Sequence, residues 1–257
     1  MKINVVGLGY IGLPTSLTMA NAGFTVVGTD YNKRLVETLN AGKVTFEEKG
    51  LVELFNSAVS TGNITFSNDY QEAEVYIVSV PTPYDKFSKK IDASYVINAV
   101  KEVLNVCKDE SIIVIESTIS PGTIEKYIKP LVNKNVYLAH APERIIPGNM
   151  VYELKHNSRT IGADDMIVGE KIANIYRKTT DGEVVVTTIK NAEMTKVVEN
   201  TYRAVNIALA NELAKICSHD NMNVYEIIKI CNMHPRVNIL NPGPGVGGHC
   251  ILSLIHI

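Results

Sequence analysis

The sequence predicts an α/β chain, in which a parallel sheet with helices on both faces gives way to a mostly helical second region. Three observations predict it. Short β-branched runs alternate with amphipathic stretches through residue 187, a glycine-rich turn follows the first run, and residues 189 to about 231 carry no strand signal. Alternation of this kind makes successive strands parallel, because each helix carries the chain back across the sheet.

The elements follow in order. Strands are expected at 3–6, 25–29, 63–66, 75–80, 112–116 and 136–140, each a short run dominated by Val, Ile or Thr. Helices are expected between them at 11–22, 33–41, 51–60, 93–106 and 123–132. A shorter unit follows, with a strand at 159–161, a helix near 165–177 and a strand at 183–187. One long helix is expected over 189–217 and a second over 224–231. This places a boundary near 188, separating a first domain, 1–188, from an incomplete helical region, 189–251. No internal repeat or low-complexity tract is visible.

At 257 residues, with 46% apolar and 20% charged residues, the composition is that of an ordinary soluble protein. A net charge of −2 gives no electrostatic case for nucleic acid or an anionic membrane. No apolar run approaches the ~20 residues that a membrane span needs. Met1 leads straight into the first strand, so no signal peptide is expected. Cys107, Cys217, Cys231 and Cys250 are far apart and form no CxxC pair, which reads as reduced, cytoplasmic thiols. Cys231 and His234 lie three apart without a matching second pair, so no metal site is expected.

Gly7-Leu8-Gly9-Tyr10-Ile11-Gly12 fits GxGxxG between a strand and a helix, the context of a Rossmann-like dinucleotide site. Gly7 allows the tight turn, Gly9 lets backbone approach a pyrophosphate, and Gly12 lets helix and strand pack closely. The helix N-terminus offers free N–H groups to phosphate. Asp30 ends the second strand, placed to accept bonds from ribose hydroxyls and to repel a 2′-phosphate, so NAD is favoured over NADP. The competing reading is a plain turn with Asp30 as a helix cap. Pro81-Thr82 and Ser117-Thr118 also follow strands directly, on the ligand side of such a sheet. Turn chemistry alone would also place Pro and Thr there.

Glu143 and Arg144 follow the strand at 136–140. A glutamate there can act as a general base or hold a water, although from the pair alone a surface ion pair is the better reading. On the long helix, Glu193, Lys196, Asn200, Arg203 and Asn211 form one polar stripe. The other faces are apolar, which predicts a buried helix whose stripe lines a cleft or an interface, against the alternative of a solvated face. At 241–250, four glycines and two prolines lead to His249-Cys250, a fixed loop suited to presenting a thiol nucleophile.

Taken together, GLGYIGLP at 7–14, STISPGT at 117–123, APERIIPG at 141–148, EMTKVVENTYR at 193–203 and PGPGVGGHC at 242–250 resemble the UDP-glucose/GDP-mannose dehydrogenases, the nucleotide-sugar 6-dehydrogenases. They occur in the family's order over nearly the whole chain. PERIIPGNMVYEL at 142–154 and SRTIG at 158–162 look most like its UDP-N-acetyl-D-mannosamine branch. The resemblance implies oxidation of a UDP-sugar C6 alcohol to a carboxylate with two NAD and one water. It implies Cys250 as the nucleophile that holds the aldehyde-level intermediate, and Lys196 and Asn200 as oxyanion stabilisers. Glu143 and Thr118 would handle water and protons. NAD contacts would come from Gly7, Gly9, Tyr10, Ile11, Gly12, Asp30, Pro81, Thr82 and Thr118. Sugar contacts would come from Glu143, Arg144, Lys196, Asn200, Arg203 and Gly247. A homodimer through the long helix is also implied.

The sequence departs from the family after Cys250. Leu254 stands where the family has an aspartate, and the C-terminal nucleotide-sugar-binding domain is missing. Residues 252–257 read as a non-native tail, which a sequencing-transposase adapter would encode, so a C-terminally truncated and inactive chain is expected. Truncation would also expose the apolar face of the long helix. Two rivals stay open: a β-hydroxyacid or 6-phosphogluconate-type dehydrogenase, which does not need the cysteine loop, and a catalytically silent NAD-binding or dimerisation module.

Overall fold

The computed structural model describes residues 1–85 and 90–246. Their backbone contacts group the chain into two compact units, Met1–Pro83 with Asp92–Met194, and Tyr84–Ile91 with the residues from Thr195 onward.

The first unit is built on an eight-stranded sheet. Its strands are β1 (Lys2–Val6), β2 (Thr25–Thr29), β3 (Ile64–Ser67), β4 (Val75–Val78), β7 (Ile112–Ile115), β8 (Tyr137–His140), β9 (Arg159–Ala163) and β10 (Val184–Thr187); a separate two-stranded pair is formed by β5 (Tyr84–Asp85) and β6 (Lys90–Ile91). The order across the sheet is β10-β9-β8-β7-β4-β1-β2-β3. Successive strands run outward from β1 in one direction and from β4 in the other, so the order reverses between these two. Crevices that take ligands open at such a reversal, beyond the carboxyl ends of the strands.

One seam differs from the expected parallel sheet. β8 and β9 are antiparallel, pairing Ala139 with Ala163 and His140 with Gly162. The connection spends its residues on a loop at the carboxyl end of β8 and a seven-residue helix, α5 (Met150–His156), which the sequence reading missed. β9 therefore starts from the end of the sheet at which β8 stops.

Helices α1 (Gly12–Asn21), α3 (Leu51–Ser60) and α6 (Met166–Tyr176) pack one face of the sheet through Leu13, Leu17, Phe55, Ile172 and Tyr176. Helix α4 (Ser94–Val106) packs the other through Val96, Val100 and Val103. Helix α2 (Lys33–Asn40) is capped by Asn32, whose side chain accepts from the Leu35 N–H. The helix expected at 123–132 is instead a π-helical turn, Ile124–Ile128, followed by a 3₁₀ turn, Lys129–Leu131. Pro130 has no N–H and its ring crowds the carbonyl four residues back, so a regular α-helix cannot run through it.

Helix α7 spans Ile189–His219, and α8 spans Val224–Cys231. In the second unit a small core joins Cys217, Val224 and Ile228 to Leu213, Ile227 and Ile239. The expectation that α7 is buried on its apolar faces fails. Its buried positions include the polar Glu193 and Asn200, whereas Met194, Val198, Tyr202, Val205, Leu209 and Ile216 are at least half exposed, Val205 by 64%. Composition round a helix says how much apolar surface it has, not which face its neighbours cover. No helix of the described residues is long and apolar enough to cross a membrane.

Candidate active site

The glycine turn is fixed by backbone sterics. Gly7 has φ +90°, donates its N–H to Thr29 O at 2.8 Å, and a Cβ on it would lie 2.7 Å from Ser79 O. A Cβ on Gly12 would lie 1.8 Å from Gly7 O, an overlap that only glycine avoids. A Cβ on Gly9 would meet no protein atom within 4 Å. Sterics of the chain therefore demand glycine at 7 and 12 but not at 9, and the space beside Gly9 suits the close approach of a phosphate. Ile11 provides no side-chain cap to α1; Leu13 N–H donates to Gly9 O at 3.1 Å and Thr15 N–H to Ile11 O at 3.1 Å, and Pro14 has no N–H, so the helix start offers an anion less than the sequence reading expects.

Asp30 reads this turn from the end of β2. Its Oδ2 accepts Leu8 N–H at 2.8 Å and its Oδ1 accepts Asn32 N–H at 2.9 Å. Each carboxylate oxygen keeps a lone pair for a ribose hydroxyl. The cap of α2 is Asn32 rather than Asp30. Tyr10 stacks on Phe46 with centroids 4.5 Å apart. Its hydroxyl reaches Glu48 at 3.4 Å, and Glu48 also accepts Gly148 N–H at 2.9 Å and Met150 N–H at 3.1 Å. Glu48, which the sequence reading missed, thus ties the glycine turn to the 141–148 loop along an open cleft of about 480 Å³.

Pro81 and Thr82 follow β4, and Thr118 follows β7, at the same edge of the sheet. Between them Ser117 donates to Val80 O at 2.7 Å, which joins the two strand ends. Glu193, expected to line a cleft, instead accepts Gly122 N–H at 2.6 Å and Ile124 N–H at 3.0 Å. It anchors the far end of the segment that carries Thr118.

Glu143 is buried rather than part of a surface ion pair. Its Oε1 accepts Arg144 N–H at 2.8 Å, and its Oε2 pairs with the guanidinium of Arg159. Arg144 turns to β9, donating to Ser158 O at 3.0 Å and Thr160 Oγ1 at 2.8 Å. Arg159 also meets Glu116 Oε1 at 3.3 Å and lies over the Tyr176 ring at 4.9 Å. Glu116 accepts Ser79 Oγ–H at 2.5 Å, Tyr176 O–H at 3.2 Å and Thr15 Oγ1–H at 3.3 Å. Burial pushes the Glu116 carboxyl up, with Arg159 opposing, and pushes the Tyr176 hydroxyl well up, with Glu116 adding to it. Glu116, Arg159, Tyr176 and Ser79 escaped the sequence reading. The signal was present in Glu116 and Arg159, charges at the ends of apolar strand runs. His140, before the loop, is fully buried, with Nδ1 2.8 Å from Ile115 O, and burial lowers its pKa to about 4.

In the second unit, α7 carries Lys196, Asn200 and Arg203. Asn200 is buried and donates to Lys196 O at 3.2 Å, while Arg203 is exposed. Asn211 Oδ1 accepts Gly243 N–H at 2.8 Å, and Asn206 accepts Leu240 N–H at 3.0 Å and donates to Asn238 O at 2.8 Å. Two helix amides therefore hold the start of the proline-glycine loop, and Asn206 was not foreseen. Gly247, His249 and Cys250 lie outside the described residues. Among the described residues no cluster of His, Cys, Asp or Glu could hold a metal ion.

Comparison with known proteins finds two family domains in succession along the chain. Residues 1–180 match the NAD binding domain of the UDP-glucose/GDP-mannose dehydrogenase family, and residues 190–255 match its central domain. A UDP-N-acetyl-D-mannosamine dehydrogenase of Methanococcus maripaludis is 49% identical over 97% of the chain and 59% of its own length. The solved UDP-N-acetyl-mannosamine dehydrogenase of Staphylococcus aureus superposes with a TM-score of 0.88 at 41% identity, over 98% of this chain and 66% of that one. The corresponding Pyrococcus horikoshii structure gives 0.92 at 38% identity, over 99% and 64%. The chain thus spans about three fifths of the length of the curated relatives it matches.

Proposed function

The chain belongs to the UDP-glucose/GDP-mannose dehydrogenase family and carries its NAD-binding domain, and from this premise we propose that it serves the NAD-dependent oxidation of UDP-N-acetyl-D-mannosamine to the uronate. The observation that carries the choice of sugar is its 49% identity to a UDP-N-acetyl-D-mannosamine dehydrogenase over 97% of the chain. The glycine turn and Asp30 support NAD as the oxidant, which when bound accepts a hydride from the sugar C6 in each of two steps.

The residues of the chain divide the remaining work. Glu143, held by Arg144 N–H and Arg159, is the base for the C6 hydroxyl or for water. Cys250 holds the aldehyde-level carbon as a thiohemiacetal, whose oxidation gives a thioester that water releases as the acid. Lys196 and Asn200 stabilise the oxyanion, Thr118 relays protons, and Arg144, Arg203 and Gly247 bind substrate. The domain division at 188 follows the same scheme. Leu254 cannot carry a proton, so this chain binds NAD but turns over little. The protein works in the cytoplasm as a homodimer, and the exposed apolar row on α7 supports self-pairing there.

The test is NADH formation by a chain extended to the length of its relatives, supplied with UDP-N-acetylmannosamine, UDP-glucose or UDP-N-acetylglucosamine. Turnover on the first alone, lost in Cys250→Ser, supports the reading. Turnover only on another sugar overturns the substrate, and NAD binding without turnover on any of them favours a silent module.

A further inference from the structure

The cluster around Arg159 needs an explanation that stability does not supply. Two carboxylates, Glu116 and Glu143, flank one guanidinium, and all three side chains are at most 4% exposed. Buried ion pairs seldom outperform apolar residues of the same volume, because desolvation offsets their attraction. This one sets two carboxyl groups against a single guanidinium and leaves Arg159 Nε without a hydrogen-bond partner among the described residues. Every remaining contact fixes position. Glu116 is held by hydroxyls from three elements: Thr15 on α1, Ser79 after β4 and Tyr176 on α6. Ser79 is also the residue against which Gly7 packs. The chain of contacts therefore runs from the glycine turn through Glu116 and Arg159 to Glu143.

We propose that Arg159 is a positioning residue for Glu143, and that Glu116, clamped by Ser79, Thr15 and Tyr176, holds the Arg159 guanidinium in place from behind. The proposal rests on the reading of Glu143 as the working base. A base must sit within hydrogen-bond reach of its proton, and a carboxylate on a loop is placed that well only if its neighbours are themselves locked. Arg159 supplies a planar fork that one lysine amine cannot copy. The groups facing the Glu143 carboxylate are Arg159 directly and Glu116 and Tyr176 through it.

The test is amide hydrogen exchange in the 257-residue chain, read at Arg144, whose N–H is held by Glu143 Oε1, and referred to the amides of β1 and β4 as the measure of overall stability. In R159K the Arg144 N–H exchanges at least ~10-fold faster relative to those strands, because the Glu143 carboxylate loses the planar fork that fixes it. In E116Q it exchanges faster as well, because Arg159 loses its support from behind. A pair that only fills space changes the strands and Arg144 alike. Unchanged relative protection of Arg144 in folded R159K, or in E116Q, overturns the proposal. If R159K does not fold, E116Q decides. The exchange needs no substrate, so its failure leaves the oxidation reading intact, and absence of NADH formation leaves the exchange result intact.

Discussion

Glu193, on the first turns of α7, accepts the Gly122 N–H at 2.6 Å, and with its other oxygen the Ile124 N–H. A carboxylate thus closes the segment that begins with Thr118 and supplies acceptors to a π-helical turn whose own start is uncapped. Glu193→Ala leaves two N–H groups without acceptors and costs roughly 2–4 kcal/mol. Glu193→Gln keeps one good acceptor and costs about half as much. Urea midpoints measure both, and equal stability of the alanine variant and the parent would contradict this role.

The glycine turn separates folding from binding. Gly12→Ala places a methyl 1.8 Å from Gly7 O, so the turn must open. Both stability and NAD binding are lost. Gly9→Ala adds a methyl that meets no protein atom. Its stability stays within about 0.5 kcal/mol of the parent, while NAD affinity measured by calorimetry falls at least ~10-fold. Retained NAD affinity in Gly9→Ala would mean that phosphate does not approach there.

These two glycines also show how far the sequence could be read. GxGxxG, Asp30 and the strand-helix alternation are local signals, and the structure places the turn, the acid and the eight strands of the main sheet close to where they were expected. What stayed hidden is non-local. Ser79, Arg159 and Tyr176 meet Glu116 across 37, 43 and 60 residues, and no periodicity encodes such a meeting. The antiparallel β8–β9 seam depends on where a loop leaves the sheet. The mixed burial of α7, with Asn200 inside as are Ala192 and Ala204 but Val205 outside, depends on which neighbours are present rather than on residue type.

His140 makes stability depend on pH. Burial lowers its pKa from 6.5 to about 4. Between these values the unfolded chain binds a proton that the folded chain excludes, so stability falls as pH falls from about 6.5 and levels off below about 4. At ~1.4 kcal/mol per unit the loss is roughly 3 kcal/mol. Glu116 has the opposite sign: its raised pKa gives stability that is present below its unfolded value and lost as pH rises. The comparison of His140→Gln with the parent isolates the histidine contribution. Urea midpoints from about pH 7.5 to about pH 4.5 converge between the two proteins as pH falls if the histidine is the source. Parallel lines across that window would refute it.

The apolar row on α7 gives a prediction about self-association. Val198, Tyr202, Val205 and Leu209 follow spacings of four, three and four and are each more than half exposed. Residues so spaced share one helical face, the arrangement that lets one helix pack against another. Glutamate at Val205 and Leu209 adds no steric burden on an exposed face and is at least as good a helix former as valine, so the double variant keeps its stability within about 0.5 kcal/mol. In a symmetric pair, however, each substitution places like charges near one another and removes apolar contact on both sides. Sedimentation equilibrium should therefore show the parent associating and V205E/L209E at least ~10-fold weaker. A parent that stays monomeric at about 100 μM, or a double variant that associates equally well, would remove this face from the pairing surface.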